Sequence, residues 1–338
     1  MSFSVLVEDF LTYMRLNKGR SERLTEVYRL ALTRLGRFMK EMGRDPLTAN
    51  HEDLIAFTGP WLFKLGLLDP VSRRTHVSAV RGFFKWAHAH RHIQGDSATG
   101  VPQPKVGKKI PRVMTMADLE KIMWQPDFGT LSGVRDAAMI SVLAGCGLRA
   151  SGLVNLNESN LVRDTVDGVP RTFLKVIEKG ERERKIPVPE QAALLIQLYL
   201  DHPDLAGVDR LLSNGDKVLF VSLRRHDIPA CEYRGEKRRF ARDQVNNIIA
   251  KHGLAAGVDK QFLHPHAVRH LFGTELAEDD VPTITAQRLL GHADPKSTEI
   301  YQQLALRKLT RVSDKSNPLG KIKTPVSALL SQLKRRTS

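Results

Sequence analysis

The stretch GDSATGVPQPKVGKKIPR (Gly95 to Arg112) constrains this chain more than any other. It is rich in Gly, Pro and Lys and has no apolar periodicity, so it offers neither a helix face nor a strand face to bury. An extended basic linker over residues 95–112 is expected, and the chain on either side must close its own core. With 338 residues there is enough chain for two such cores. The expected layout is a domain over 1–94, the linker, a second domain over 113–320 and a basic tail over 321–338.

The first domain reads as helical throughout. SVLVEDFLTYMRL and LTEVYRLALTRLGRFMKEM place Leu, Val, Phe and Met at three- and four-residue spacings. Asn50 is placed to cap the next segment, HEDLIAFTGPWLFKLG. Pro60 should kink or divide that segment, because proline removes a helical N–H and clashes with the preceding turn. PVSRRTHVSAVRGFFKWAHAH then interleaves Arg73, Arg74, Arg81 and Lys85 with an apolar face. Neither a strand signal nor an internal repeat occurs here.

The second domain is mixed. Thr115 and Asp118 in TMADLEKIM have the spacing of a helix start. GVRDAAMISVLAGCG predicts an apolar helix ending in Gly, and TFLKVI and RKIPVP predict a β-hairpin around the charged turn EKGERE. EQAALLIQLYLDH, RDQVNNIIAKHG and HAVRHLFGTELAED are helical in pattern, and TAQRLLGH is a short helix. The fold class is mainly α with a small β-sheet.

Charge narrows the partners. Fifty-two Lys and Arg against 37 Asp and Glu give +15. Residues 1–110 and 303–338 each carry a net +8, and the span between them is near neutral. Basic regions on both sides of a neutral core suit a polyanion gripped from more than one side, with Lys105, Lys108 and Lys109 of the linker joining the basic residues of the first domain. Only Cys146 and Cys231 occur, which argues against a disulfide framework and for a reducing, cytoplasmic setting. The acids in the first twenty residues argue against a signal peptide, and no apolar run approaches the roughly 18 residues of a membrane span.

The segment FLHPHAVRHLFGTELA raises a choice, because His264, His266 and His270 fall within seven residues. His266 and His270 stand four apart on one helix face, as paired zinc ligands do, and Glu275, Glu278, Asp279, His292 and Asp294 could complete a site. No HExxH or acid-rich pattern accompanies them, and His264 precedes Pro265, outside the helix. The competing reading joins distant pieces. These are Arg149 in GLRASGL, Lys179 in EKGERER, His266 and Arg269 in HAVRH, His292 in LLGHADPKST and Tyr301 in TEIYQQL. Taken singly, each is more often structural than catalytic.

In their order and local context, the five pieces resemble the tyrosine recombinases, the family of phage integrases and of the recombinases that resolve chromosome dimers. That family carries an arginine in GLRxSEL, a lysine in a GKG hairpin, an HxLRH helix, an LGH and a TxxYxx tyrosine. The resemblance spans about residues 113–305, and the helical region and linker resemble the family's core-binding domain more loosely. It implies a C-shaped clamp on DNA, formed by a helical core-binding domain and a mixed α/β catalytic domain. It also implies catalysis without metal, ATP or any cofactor.

The resemblance also assigns roles. Arg149 and Arg269 would hold the non-bridging oxygens of the scissile phosphate through planar, charge-assisted hydrogen bonds, which lysine cannot replicate. Tyr301 would be the nucleophile, and its phenol, ordinarily titrating near pH 10, needs a proton acceptor. His266 is the expected general acid–base group, Lys179 the acid for the departing 5′ oxygen and His292 a phosphate ligand. His264 and His270 are expected to be supporting or structural. One departure stands out. Gly152 occupies the place of the family's glutamate, and a slower or more tightly regulated enzyme is expected.

The implied substrate is double-stranded DNA with specific recombination sites, bound by four protomers on two sites. DNA-bending or directionality proteins could assist, and no membrane is involved. VSALLSQLKRR in the tail, with Val326, Leu329, Leu330 and Leu333 on one face, is a candidate for docking on a neighbouring subunit. The expected role is integration, excision or cointegrate resolution for a mobile element. The rival functions are a type IB topoisomerase, a telomere-resolving enzyme, a catalytically silent DNA-binding repressor and, as the residual reading of HPHAVRH, a metal-dependent nuclease.

Overall fold

The structure, a computed structural model, describes residues 2–66, 69–105, 112–178, 182–223 and 228–291, together with 298, 301, 305, 307, 308, 310 and 313. The chain divides into two compact units, Met1–Lys109 and Ile110–Ser338.

The first unit is built from α1 (Phe3–Leu16), α2 (Glu22–Glu41), α3 (His51–Ala56), α4 (Leu62–Lys64) and α5 (Pro70–Ala89). Asn50 and Asp53 form a reciprocal capping box that starts α3, each side chain bonding the other's backbone N–H at 2.9 Å. Between α3 and α4 the helix widens into a π-turn, Phe57–Trp61, around Pro60, the interruption expected from proline's missing donor. Asp69 caps α5, whose first residue is Pro70. The core is aromatic. Phe10 meets Phe83 edge to face at 5.7 Å, and Trp86 lies 5.6 Å from Phe10. Ala98 and Val101, placed by their sequence in an extended linker, are fully buried in this core, so the chain stays packed on the helices beyond Gly95.

The second unit begins with α6 (Met116–Met123), started by a capping box between Thr115 and Asp118. Next comes α7 (Leu131–Cys146), apolar on nearly every side and the centre of the second core. Gly147, at φ +58°, closes α7 in the left-handed conformation, and α8 (Ala150–Val154) follows. An antiparallel sheet of β1 (Leu161–Val166), β2 (Val169–Glu178) and β3 (Arg182–Pro187) runs in that order. Leu174, Val176 and Ile186 cover its buried face. The β2–β3 hairpin follows the sequence pattern, whereas β1 does not. Its residues are largely exposed and lack apolar alternation, yet Asp167 and Gly168, both at positive φ, form the tight turn that an Asp–Gly pair favours.

The helices α9 (Glu190–Leu200), α10 (Arg242–Ala255), α11 (Pro265–Glu278) and α12 (Thr283–Leu290) complete the unit. A charged group is buried where α7 meets α10. Arg135 donates through Nε (3.0 Å) and Nη2 (2.6 Å) to Asp136, and through Nη1 to the carbonyl of Val221 (3.0 Å). Nε2 of His252 lies 3.0 Å from the other Asp136 oxygen. Burial alone would raise the Asp136 pKa, but His252 and Arg135 hold it below the usual carboxylate range. Among the described residues, no helix is long and apolar enough to cross a membrane. The segment with Val326 to Leu333 lies outside the described residues.

Candidate active site

Three of the residues singled out in the sequence, Arg149, Arg269 and Tyr301, come together around the C-terminus of α12. A helix end leaves backbone carbonyls unpaired and carries partial negative charge, so it attracts cations. Gly291, at φ +64°, ends α12 in the left-handed conformation. Arg149, the residue that caps α8, donates through Nη2 to the carbonyl of Gly291 (3.2 Å). Arg269 on α11 is 3% exposed and donates to two helix ends, the carbonyl of Leu290 at 2.5 Å and that of Gly147. A third arginine, not anticipated from the sequence, joins them. Arg184 on β3 donates through Nη1 to the carbonyls of Leu289 (2.5 Å) and Arg288 (3.2 Å).

Tyr301 is 3% exposed and packs with Ala277, Leu290 and Ala305. Its ring lies over Gly273, where even a methyl group would come within 2.7 Å of ring atoms. Arg269 hydrogen-bonds the phenol, and Nδ1 of His270 lies 3.2 Å from the hydroxyl oxygen. Burial pushes the Tyr301 pKa above the ordinary phenol value, while Arg269 and Arg149 pull against it.

The three histidines serve different ends. His264 is the N-cap of α11, its Nδ1 accepting from the N–H of Ala267 (3.0 Å). His266 reaches solvent on the first turn. Partial desolvation, His264 and the charges of Arg269 and Arg149 hold its pKa below the ordinary imidazole value. His270, half-buried one turn further on, faces Tyr301. Glu275 and Glu278, considered above as metal ligands, hold the chain after Tyr301 instead. Glu278 accepts from the backbone N–H groups of Arg307 (3.0 Å) and Lys308 (2.7 Å), and Glu275 pairs with the Arg307 guanidinium at 2.8 Å. Among the described residues, no group of three or more His, Cys, Asp or Glu is placed to hold a metal ion. Lys179 and His292 lie outside the described residues.

In the first unit, Arg74, Arg81 and Lys85 follow a helical spacing of seven and four along α5 and share one side of it. Arg73 and Lys105 border one small cleft beside the Pro60 turn. The Nε atoms of Arg73 and Arg81 are buried, and among the described residues neither has a hydrogen-bond partner. Lys108 and Lys109 lie outside the described residues.

Residues 112–307, which include this whole constellation, match the phage integrase family, and residues 7–91 match the N-terminal SAM-like domain of phage integrases. The chain belongs to the phage integrase family of tyrosine recombinases. This recombinase is 32% identical over 317 residues to the tyrosine recombinase XerD of Pseudomonas putida, covering 93% of this chain and 98% of that protein. It is also 32% identical over 254 residues to the tyrosine recombinase XerC of Salmonella typhi, covering 75% and 76% of the two chains. Its fold is similar to that of the XerH site-specific recombinase bound to a palindromic difH substrate (TM-score 0.70, 17% identity, 93% of this chain and 84% of that one). It is similar also to that of a lambda integrase dimer bound to a COC′ core site (TM-score 0.62, 16% identity, 89% and 77%). The recombinase is thus a DNA-rearranging enzyme, mostly helical with a small three-stranded sheet among the described residues.

Proposed function

We propose that this recombinase cuts each strand of a specific duplex site through Tyr301 and rejoins it to a partner strand. The observation that carries the assignment is the environment of one oxygen. The Tyr301 hydroxyl is hydrogen-bonded by Arg269 and lies in the field of Arg149, so the nucleophile and two phosphate-binding cations share one locus. Attack by Oη on phosphorus forms a 3′-phosphotyrosine bond and breaks the bond to the 5′ oxygen, which leaves as a hydroxyl. The phosphodiester energy is kept in the new bond, so rejoining to a second 5′ hydroxyl requires no ATP. Arg149 and Arg269 hold the non-bridging oxygens as negative charge builds on them. His266 and His292 assist at the phosphate, and Lys179 protonates the departing oxygen.

The duplex is held mainly through phosphates, by Arg73, Arg74, Arg81 and Lys85 of α5 and by Lys105, Lys108 and Lys109, so affinity falls steeply with salt. Four protomers act on two sites. The near full-length relatives named XerD favour a Xer-type role, such as resolving dimeric replicons, over the mobile-element role expected from the sequence. Gly152 and the divergent tail are what speak for the mobile element.

A covalent-trapping experiment tests this reading. Nicked duplexes tiling the region around the protein's own gene are incubated with wild type and with Tyr301→Phe in EDTA. A DNA-linked band that resists SDS, absent in the variant, is expected. DNA binding with no wild-type band on any tile overturns the assignment in favour of a silent repressor. A band that requires added metal overturns the metal-free chemistry. Relaxation of supercoils by a monomer without site preference identifies a topoisomerase instead.

A further inference from the structure

We propose that His270 is the catalytic base that takes the phenolic proton of Tyr301. The inference rests on the reading of Tyr301 as nucleophile and goes beyond it, because the resemblance directs general acid–base duty to His266. In the structure, the histidine at the reacting oxygen is His270, with Nδ1 3.2 Å from Tyr301 Oη. That is within reach of direct proton transfer.

The surroundings of the pair suit the transfer. Arg269 hydrogen-bonds the same oxygen, so the phenol has a cationic donor on one side and an imidazole nitrogen on the other. A neutral imidazole with its proton on Nε2 presents a lone pair at Nδ1. The groups facing His270 favour that neutral form. His264 and His266 lie on the same segment, Arg269 is the adjacent residue, and Tyr301 approaches from the chain beyond α12. Burial first, and then His266, His264 and the Arg269 charge, hold the His270 pKa below its ordinary value. His266, one turn earlier, reaches solvent and is open to a phosphate. The two histidines divide the work, one at the substrate and one at the nucleophile.

The transfer balances simply. As Oη bonds to phosphorus, its proton passes to Nδ1 of His270, which becomes imidazolium. The bond from phosphorus to the 5′ oxygen breaks, and that oxygen is protonated by the acid on the leaving-group side. On rejoining, His270 returns its proton to the departing phenolate.

The test compares wild type with His270→Asn, with either tyrosine or 2,3-difluorotyrosine at position 301. Asparagine can still accept a hydrogen bond through its side-chain oxygen but cannot act as a base, and fluorination acidifies the phenol. The readout is the single-turnover rate of covalent complex formation on the trapped nicked site between pH 5.5 and 9, with DNA affinity and thermal melting measured alongside. With tyrosine, His270→Asn should be slower by about 100-fold at unchanged affinity and should lose the acidic limb of the pH profile. With difluorotyrosine it should recover most of that loss. A His270→Asn rate within about threefold of wild type, or a loss that fluorination does not restore, overturns the role of His270 alone. No covalent complex in the wild type overturns the nucleophile assignment, and this inference with it.

Discussion

The α-carbon of Gly273 lies so close beneath the ring of Tyr301 that a methyl group built on it would stand 2.6 Å from the ring's Cζ. The contact fixes how deeply the phenol sits, and Gly273→Ala must push the ring out. Alanine is also the better helix former by about 1 kcal/mol, so α11 itself should not weaken. Covalent trapping should fall by about 100-fold, the scale expected of a displacement of roughly 1 Å at a reacting group. Gel-shift affinity for DNA should be unchanged. Trapping at the wild-type rate would mean that the seat of the ring is immaterial.

Arg184 ties β3 to the last carbonyls of α12 without being assigned to the phosphate. Arg184→Ala removes a charged donor from a helix end, at a cost of about 1.5–3 kcal/mol. Thermal unfolding should move accordingly, and trapping should slow at saturating DNA because Gly291 and Leu290 also receive Arg149 and Arg269. Arg184→Lys should recover stability better than rate, since a flexible ammonium keeps the charge but not the fixed, planar placement of Nη1 between the two carbonyls. Equal recovery of both would reduce Arg184 to a simple brace.

Asp136 is buried and bonded by Arg135 and His252. Asp136→Ala strands the Arg135 charge and should cost about 3–5 kcal/mol. Because its folded pKa is depressed, the carboxylate's contribution is complete above the unfolded value near 3.9. It is lost as pH falls through the lower, folded value. Urea melts of wild type and variant should therefore differ most near neutrality and converge in strong acid. A gap that does not change with pH would place the stabilisation in packing alone.

A side chain at residue 152 has room, for a Cβ there would meet only Cγ1 of Val176, at 3.6 Å. Gly152→Glu should strengthen α8 by up to about 1 kcal/mol and steady Arg149, which begins that helix. Trapping should speed up. An unchanged or lower rate would show that this enzyme is organised around the missing acid.

Legibility in the sequence followed the range of the interactions. Asn50, Pro60, Thr115 and Gly147 act on their own turn of chain, and local chemistry announces each of them. The strand β1 failed that test because it packs little, although its Asp167–Gly168 turn was there to be read. Ala98 and Val101 are two small apolar residues in a linker-like stretch, too few for any pattern. Arg184 looks like any charge in EKGERER until β3 meets α12. His270 and His266 share a helix and a residue type, and only the position of Tyr301 separates them.

The carbonyls of residues 288–291 receive arginines from points 142, 105 and 21 residues away along the chain. A chain still being synthesised, released only as far as α11, already contains Arg149, Arg184, His266 and Arg269. It lacks the helix end that gathers them and the tyrosine that follows. On the proposed reading of Tyr301 as the nucleophile, cutting activity therefore arrives last, and a copy of this enzyme that stops at α11 has no means of nicking the genome that encodes it.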